Sequence, residues 1–60
     1  MQTILIVEDE PNLRNNLVEI LKLHGFNVLI ADSGISAITV LKRQIPDLIL
    51  SDILMPELDG

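Results

Sequence analysis

The feature that most constrains this chain is an aliphatic run that stops abruptly at three acidic residues and a proline. Residues 4–7 are only Ile, Leu and Val, and Glu8, Asp9 and Glu10 follow them directly before Pro11. Such a run is typical of a strand covered on both faces, as in a parallel sheet flanked by helices. Proline suits the first position of a helix. The chain is therefore predicted to begin with a buried strand, an acidic turn and a helix.

Apolar residues at three- and four-residue spacing predict that the first helix is amphipathic and ends at Gly25, which can adopt the left-handed conformation. A second strand is predicted over residues 26–31, a second helix over 36–44 and a third strand over 48–51, followed by a loop over 53–60. The positions predicted to face inward are Leu13, Leu17, Ile20, Leu21 and Leu23 or His24 in the first helix, and Ala37, Ile38, Leu41 and Ile45 in the second.

This βαβαβ order predicts an α/β fold with a parallel sheet, because crossovers between parallel strands need an intervening segment such as a helix. Such crossovers are right-handed in about 98% of cases. If the second and third strands lie on opposite sides of the first, right-handedness places one helix on each face and gives the strand order 2-1-3. The third strand then has an open apolar edge, which we expect a second copy of the chain to cover.

Composition excludes several classes of function. The 60 residues carry a net charge of −5 with a pI near 4.4, which opposes direct binding to nucleic acid or to an anionic membrane surface. The first apolar run is too short for a secretion signal or a membrane span. Without cysteine, disulfides cannot support so small a domain. We expect a cytoplasmic protein.

Acidic residues follow the first and third strands, at the point where the strand order reverses. Glu8 and Asp9 end the first strand and Asp52 ends the third. Ligands of doubly wound sheets bind at this edge, and neighbouring parallel strands are about 4.8 Å apart, so the carboxylates are predicted to converge. Mg²⁺ would relieve their repulsion, and Asp52 is a plausible nucleophile toward phosphorus. The simpler alternative is that these residues are solvated strand ends.

The sequence closely resembles the first half of a bacterial response-regulator receiver domain. The resemblance is carried by residues 4–11, 24–26, 31–34, 46–56 and 59–60, of which the block ending in Met55 and Pro56 is the most specific. It implies a truncated flavodoxin-like fold in which residues 1–60 are the amino-terminal half of the domain. The serine or threonine of strand four and the lysine of strand five, which complete a receiver, do not occur in these residues.

The resemblance also assigns roles to individual residues. Asp52 is the phosphoacceptor, Asp9 and Asp52 bind Mg²⁺ directly, Glu8 assists through water, and the carbonyl of Leu54 supplies another ligand. The phosphoryl donor is a histidine kinase or a phosphotransfer protein, and the domain is a signalling phosphoacceptor and not an enzyme with its own substrate. We expect these sixty residues alone to be a poor switch, because a fixed cation normally stabilises the transferring phosphoryl group.

Three other classes fit poorly, and one alternative stays open. A dinucleotide site would need a glycine-rich turn where Glu8 and Asp9 stand. A phosphatase with an aspartate nucleophile would need a second aspartate where Leu54 stands, and a calcium loop would need oxygen ligands at alternate positions after Asp52. The open alternative is a non-phosphorylated structural module, a homodimer assembled along the third strand.

Overall fold

The computed structural model describes residues 2–51, which form a parallel sheet between two helices. Both neighbours of the first strand run parallel to it, and the strand order is β2-β1-β3. The predicted α/β class, element order and central first strand are confirmed. The elements, in chain order, are β1 Thr3–Val7, α1 Pro11–Leu23, β2 Asn27–Ala31, α2 Gly34–Arg43 and β3 Leu48–Ser51.

The central strand β1 is buried along its whole length. It is paired with β2 on one edge and with β3 on the other, and Leu5 is 0% exposed. Side chains alternate between the two faces of a strand, so burial of every residue requires a helix on each face. The aliphatic run of β1 therefore has the environment that its sequence predicts.

Helix α2 covers one face of the sheet. Its Ala37 is buried in a cluster with Leu5, Val7 and Ala31, and Val40 packs against this cluster. Helix α1 contacts the sheet on the other face.

That second face carries the even-numbered side chains of β1. A cleft of about 300 Å³ between α1 and the sheet is lined by Ile6, Leu13, Leu17 and Leu50. Because Ile6 points away from the face of Leu5, the two helices lie on opposite sides, as predicted. Neither helix in residues 2–51 is long and apolar enough to cross a membrane.

Helix α1 begins and ends where the sequence predicts. Glu10 is its N-cap, and the Glu10 carboxylate accepts a hydrogen bond from the backbone N–H of Leu13 at 2.7 Å, with Pro11 as the first helical residue. The chain leaves the helix through Gly25, whose φ of +87° disfavours residues with a Cβ.

Helix α2 begins at Gly34, two residues before the predicted start. Ser33 is its N-cap: the Ser33 hydroxyl accepts from the N–H of Ser36 at 3.1 Å, and the Ser36 hydroxyl accepts from the N–H of Ser33 at 3.0 Å. This is a capping box in which serine replaces the usual Glu or Gln at the third helical position.

The strand β2 begins one residue later than predicted. The N–H of Phe26 donates to the carbonyl of Leu21 at 3.1 Å, so Phe26 belongs to the turn that closes α1 and not to the strand. The next amide, that of Asn27, donates to the carbonyl of Gln2 at 2.8 Å and starts the pairing with the β1 side of the sheet.

Five of the predicted inward positions are wrong. Ile20 and Leu23 of the first helix are 51% and 86% exposed, and Leu13, Ile38 and Ile45 are also exposed. Leu23 and Ile45 stand at or beyond helix ends, whereas Ile38 faces a cleft beside β3. The periodicity identified the correct helices but extended their buried faces too far, because α2 packs mainly over β1 and β2 through Ala37.

Candidate functional site at the carboxyl edge of the sheet

The carboxyl ends of the three strands meet in register. Val7 pairs with Ala31 of β2 on one side and with Ser51 of β3 on the other. Because the strands are parallel, the residues that follow each of them leave the sheet at the same edge. Glu8 and Asp9 follow the central strand there, as predicted.

Glu8 continues the central strand by one hydrogen bond and then starts a turn. The N–H of Glu8 donates to the carbonyl of Ala31 at 3.0 Å, and the Glu8 Oε2 accepts from the N–H of Glu10 at 3.1 Å. We call residues 8–10 the acidic turn. It is tied to β2 at its first residue and to α1 at its last, because Glu10 is also the N-cap of that helix.

The Glu8 side chain is an unusually buried carboxylate. It is 4% exposed, and its Oε1 has no hydrogen-bond partner among the residues that the structure describes. It borders the cleft lined by Leu13, Leu17 and Leu50. A buried carboxylate oxygen without a partner is costly, and a cation or a cation-bound water would satisfy it. This oxygen therefore fits a metal site with oxygen ligands.

Asp9, the next residue, is exposed. An exposed carboxylate beside a buried one gives an oxygen-only donor pair, which suits a hard cation such as Mg²⁺. Within residues 2–51 no group of three His, Cys, Asp or Glu side chains is assembled that would hold a metal ion by itself. The other two predicted ligands, Asp52 and Leu54, lie outside the described residues, as does the loop over 53–60.

The sequence interpretation missed one side chain at this edge. The Arg14 guanidinium donates through Nη1 to the carbonyl oxygen of Glu8 at 3.5 Å. Arg14 also borders an open cleft of about 350 Å³ beside Asp32 and Ser36. The sequence signal that could have identified Arg14 is its position: it is a cation near the amino end of a helix, where the dipole disfavours positive charge.

A doubly wound sheet with an acidic turn at its carboxyl edge defines the class: an α/β domain with a candidate cation site of oxygen donors where ligands of such sheets bind. The family described as response regulator receiver domain matches residues 4–60. The chain belongs to this family, and thus to the proteins of two-component signal transduction. The predicted family is confirmed.

Three relatives illustrate the match. The chain is 48% identical over 61 residues to protein-glutamate methylesterase/protein-glutamine glutaminase 3 of Rhodospirillum rubrum, covering 100% of this chain and 16% of that protein. It is 40% identical over 60 residues to protein PilH of Pseudomonas aeruginosa, covering 100% and 50%. It is 38% identical over 58 residues to the probable transcriptional regulatory protein TcrX of Mycobacterium tuberculosis, covering 97% and 25%.

The chain thus spans half or less of the length of each of these relatives. The esterase, glutaminase and regulatory activities in their names belong to those whole proteins. No solved structure matches the chain significantly.

Proposed function

We propose that the chain is the phosphoacceptor part of a receiver, in which Asp52 takes a phosphoryl group. Asp9, Asp52 and the carbonyl of Leu54 would hold Mg²⁺ directly, and Glu8 would act on it through water. The family match over residues 4–60 supports this assignment, since it includes all four residues. We also propose that residues 1–60 are the amino-terminal half of the receiver, and its cytoplasmic location stays a prediction.

The observation that carries the proposal is the difference in burial between Glu8 and its neighbour Asp9. Glu8 is buried with one oxygen lacking a partner in the described part of the chain, while the neighbouring Asp9 is exposed. A strand end selected only for solubility would expose both carboxylates to water. Burial of one of them is costly unless a cation or its water shell compensates the charge.

The proposed chemistry is transfer of a phosphoryl group from a phosphohistidine of a histidine kinase or a phosphotransfer protein. A carboxylate oxygen of Asp52 attacks phosphorus, an O–P bond forms, and the P–N bond breaks. The imidazole leaves with the bonding electrons and takes up a proton. Bound Mg²⁺ would neutralise charge on the phosphoryl oxygens. The net charge of −5 argues against a direct role in nucleic-acid binding.

Replacement of the acceptor tests the proposal. The full-length protein is incubated with Mg²⁺ and phosphoramidate, whose P–N bond resembles that of phosphohistidine, and phosphoryl incorporation is measured by intact mass. We expect incorporation in the wild type and none in Asp52→Asn. Asp32→Asn is the matched control, because Asp32 follows β2 at the same edge and bonds Ser36 instead. Incorporation that survives in Asp52→Asn would exclude Asp52 as the acceptor.

A second candidate function is a homodimeric interaction module that pairs along β3. The observation that favours it is that β3 is an edge strand of the described sheet and that Leu48, Ile49 and Leu50 are all exposed. An exposed apolar edge offers unpaired backbone groups to another strand. A second copy related by two-fold symmetry would present the same edge and extend the sheet.

The mass of the protein in solution tests this second candidate. We expect Ile49→Lys to convert a dimer into a monomer in light scattering, because a buried charge at the pairing edge is unfavourable. Ile35→Lys is the control, since Ile35 is an equally apolar residue that is also exposed and belongs to α2 and not to the pairing strand. A wild-type protein that is already monomeric, or a dimer that Ile49→Lys leaves intact, would contradict edge pairing.

A further inference from the structure

Arg14 stands where a cation is electrostatically misplaced. The chain has four Lys and Arg residues, and Lys22, Lys42 and Arg43 lie in the last turns of the two helices, where the dipole favours positive charge. Arg14 alone is near the amino end of a helix, three residues after Pro11. The helix dipole therefore does not account for Arg14, and the contacts of its side chain indicate what it does.

That interaction is with the acidic turn. The Arg14 Nη1 donates to the carbonyl oxygen of Glu8 at 3.5 Å, while the Arg14 backbone N–H makes the first hydrogen bond of the helix, to the carbonyl of Glu10 at 2.9 Å. One residue thus contacts both ends of the turn, and its long side chain is half-buried although Asn15 and Asn16 beside it are exposed.

The geometry points to Arg14 as a positioning residue for metal binding: its guanidinium fixes the peptide that joins Glu8 to Asp9 and so sets where the Asp9 carboxylate stands. This inference rests on the proposed Mg²⁺ site. The carbonyl that Arg14 holds is the one immediately before the Asp9 nitrogen. The amide of Glu8, on the other side of that residue, is already held by Ala31. With Arg14 in place, both peptide groups flanking Glu8 are fixed.

A simple charge effect would have the opposite sign. Arg14 adds a positive charge beside Glu8 and Asp9, so its removal would strengthen the binding of a divalent cation if only Coulomb forces acted. If Arg14 positions the turn, its removal weakens binding, because partners that orient metal ligands typically contribute 10- to 100-fold in affinity, of which we expect about tenfold here. The direction of the change therefore separates the two roles.

The first test is Mg²⁺ binding by calorimetry to the full-length protein. Arg14→Met keeps an unbranched apolar stem and a similar helix propensity but removes the charge and the donors. We expect about tenfold weaker binding in Arg14→Met and an intermediate value in Arg14→Lys, which keeps the charge but carries its donors on a single nitrogen. Arg43→Met, which removes the same charge from the far end of α2, is the control and should bind as the wild type does.

The second test needs no metal. Amide hydrogen exchange is measured in the metal-free protein for Glu10, whose N–H donates to the Glu8 Oε2, and for Leu17 in the middle of α1. We expect Arg14→Met to speed exchange at Glu10 and not at Leu17, because the turn loosens while the helix stays formed.

The two tests distinguish failure of this inference from failure of the proposed site. Equal or tighter Mg²⁺ binding in Arg14→Met, with a wild-type affinity that Asp9→Asn abolishes, overturns the positioning role alone. If the wild type does not bind Mg²⁺ through Asp9, the proposed site is wrong and the role in metal binding fails with it, and the metal-free exchange then decides the remaining part of the inference, that Arg14 fixes the acidic turn. Unchanged exchange at Glu10 would then overturn it, and faster exchange would support Arg14 as the residue that holds the turn.

Discussion

Asp47 and Thr3 hold each other by two short hydrogen bonds at the amino edge of the sheet. The Asp47 Oδ2 accepts from the N–H of Thr3 at 2.7 Å, and the N–H of Asp47 donates to the carbonyl of Thr3 at 2.7 Å. This pair fixes β3 against β1 one residue before their ladder begins, at Ile4 and Leu48. It therefore sets the register that brings Ser51, the residue before Asp52, level with Val7.

Replacement of Asp47 should weaken the attachment of β3 to β1 and so destabilise the folded protein. We expect Asp47→Ala to lower the free energy of unfolding by about 1–2 kcal/mol, since a partly exposed hydrogen bond to a carboxylate is lost. Asp47→Asn keeps an acceptor and should cost less. Urea denaturation of the full-length protein measures both. An alanine variant as stable as the wild type would show that the backbone bond alone fixes the strand.

Stability should depend most strongly on the side chains of the buried strand β1. Leu5 is 0% exposed, and its truncation to alanine leaves a cavity beside Ala37. We expect Leu5→Ala to cost about 2–5 kcal/mol in the same urea experiment. Leu23→Ala, at 86% exposure, is the control and should change stability little. Equal effects of the two substitutions would contradict the described burial.

The serine capping box should contribute measurably to α2. Ser33→Ala removes the side-chain acceptor of the Ser36 N–H, and we expect a loss of about 1 kcal/mol. Ser36→Glu should keep the cap, because Glu is the common partner at this position. Thr39→Ala, which removes an exposed hydroxyl from the same helix, is the control. Thermal unfolding distinguishes these outcomes, and no loss in Ser33→Ala would show that the Ser33 hydroxyl does not stabilise the helix.

Mg²⁺ should stabilise the folded protein through Asp9. A ligand that binds only the folded state at ten times its dissociation constant adds about 1.4 kcal/mol. We expect Mg²⁺ to raise the melting temperature of the wild type and not of Asp9→Asn, with NaCl at equal ionic strength as the reference. Asp32→Asn should respond as the wild type does. An equal rise in melting temperature with NaCl would show that Mg²⁺ acts only by screening charges and not by binding at Asp9.

Sequence reasoning succeeded where local chemistry and topology agree. The aliphatic run of β1, Pro11 at a helix start and Gly25 at a helix end each indicate one local conformation. With β2 and β3 on opposite sides of β1, right-handed crossovers then place one helix on each face of the sheet. The helix faces were harder to predict, because periodicity does not state how far a helix extends beyond the sheet. Ile20 and Leu23 fit the pattern of a buried face and are exposed.

The candidate site was predictable in its acidic residues and not in what holds them. Glu8 and Asp9 follow directly from the end of a buried strand. The burial of Glu8 and its contact with Arg14 depend on how α1 crosses the end of the sheet, which no local pattern specifies. The bond between Asp47 and Thr3 was not predicted, because the two residues are far apart in sequence.

The most direct test of the account is to locate the phosphoryl group itself. After incubation of the full-length protein with phosphoramidate, with and without Mg²⁺, borohydride reduces an acyl phosphate on aspartate to homoserine, which peptide mass spectrometry assigns to a residue. We predict homoserine at position 52 in the presence of Mg²⁺ and none without it. Modification at another residue, or at Asp52 equally without Mg²⁺, would contradict the metal-assisted phosphoacceptor site proposed for this chain.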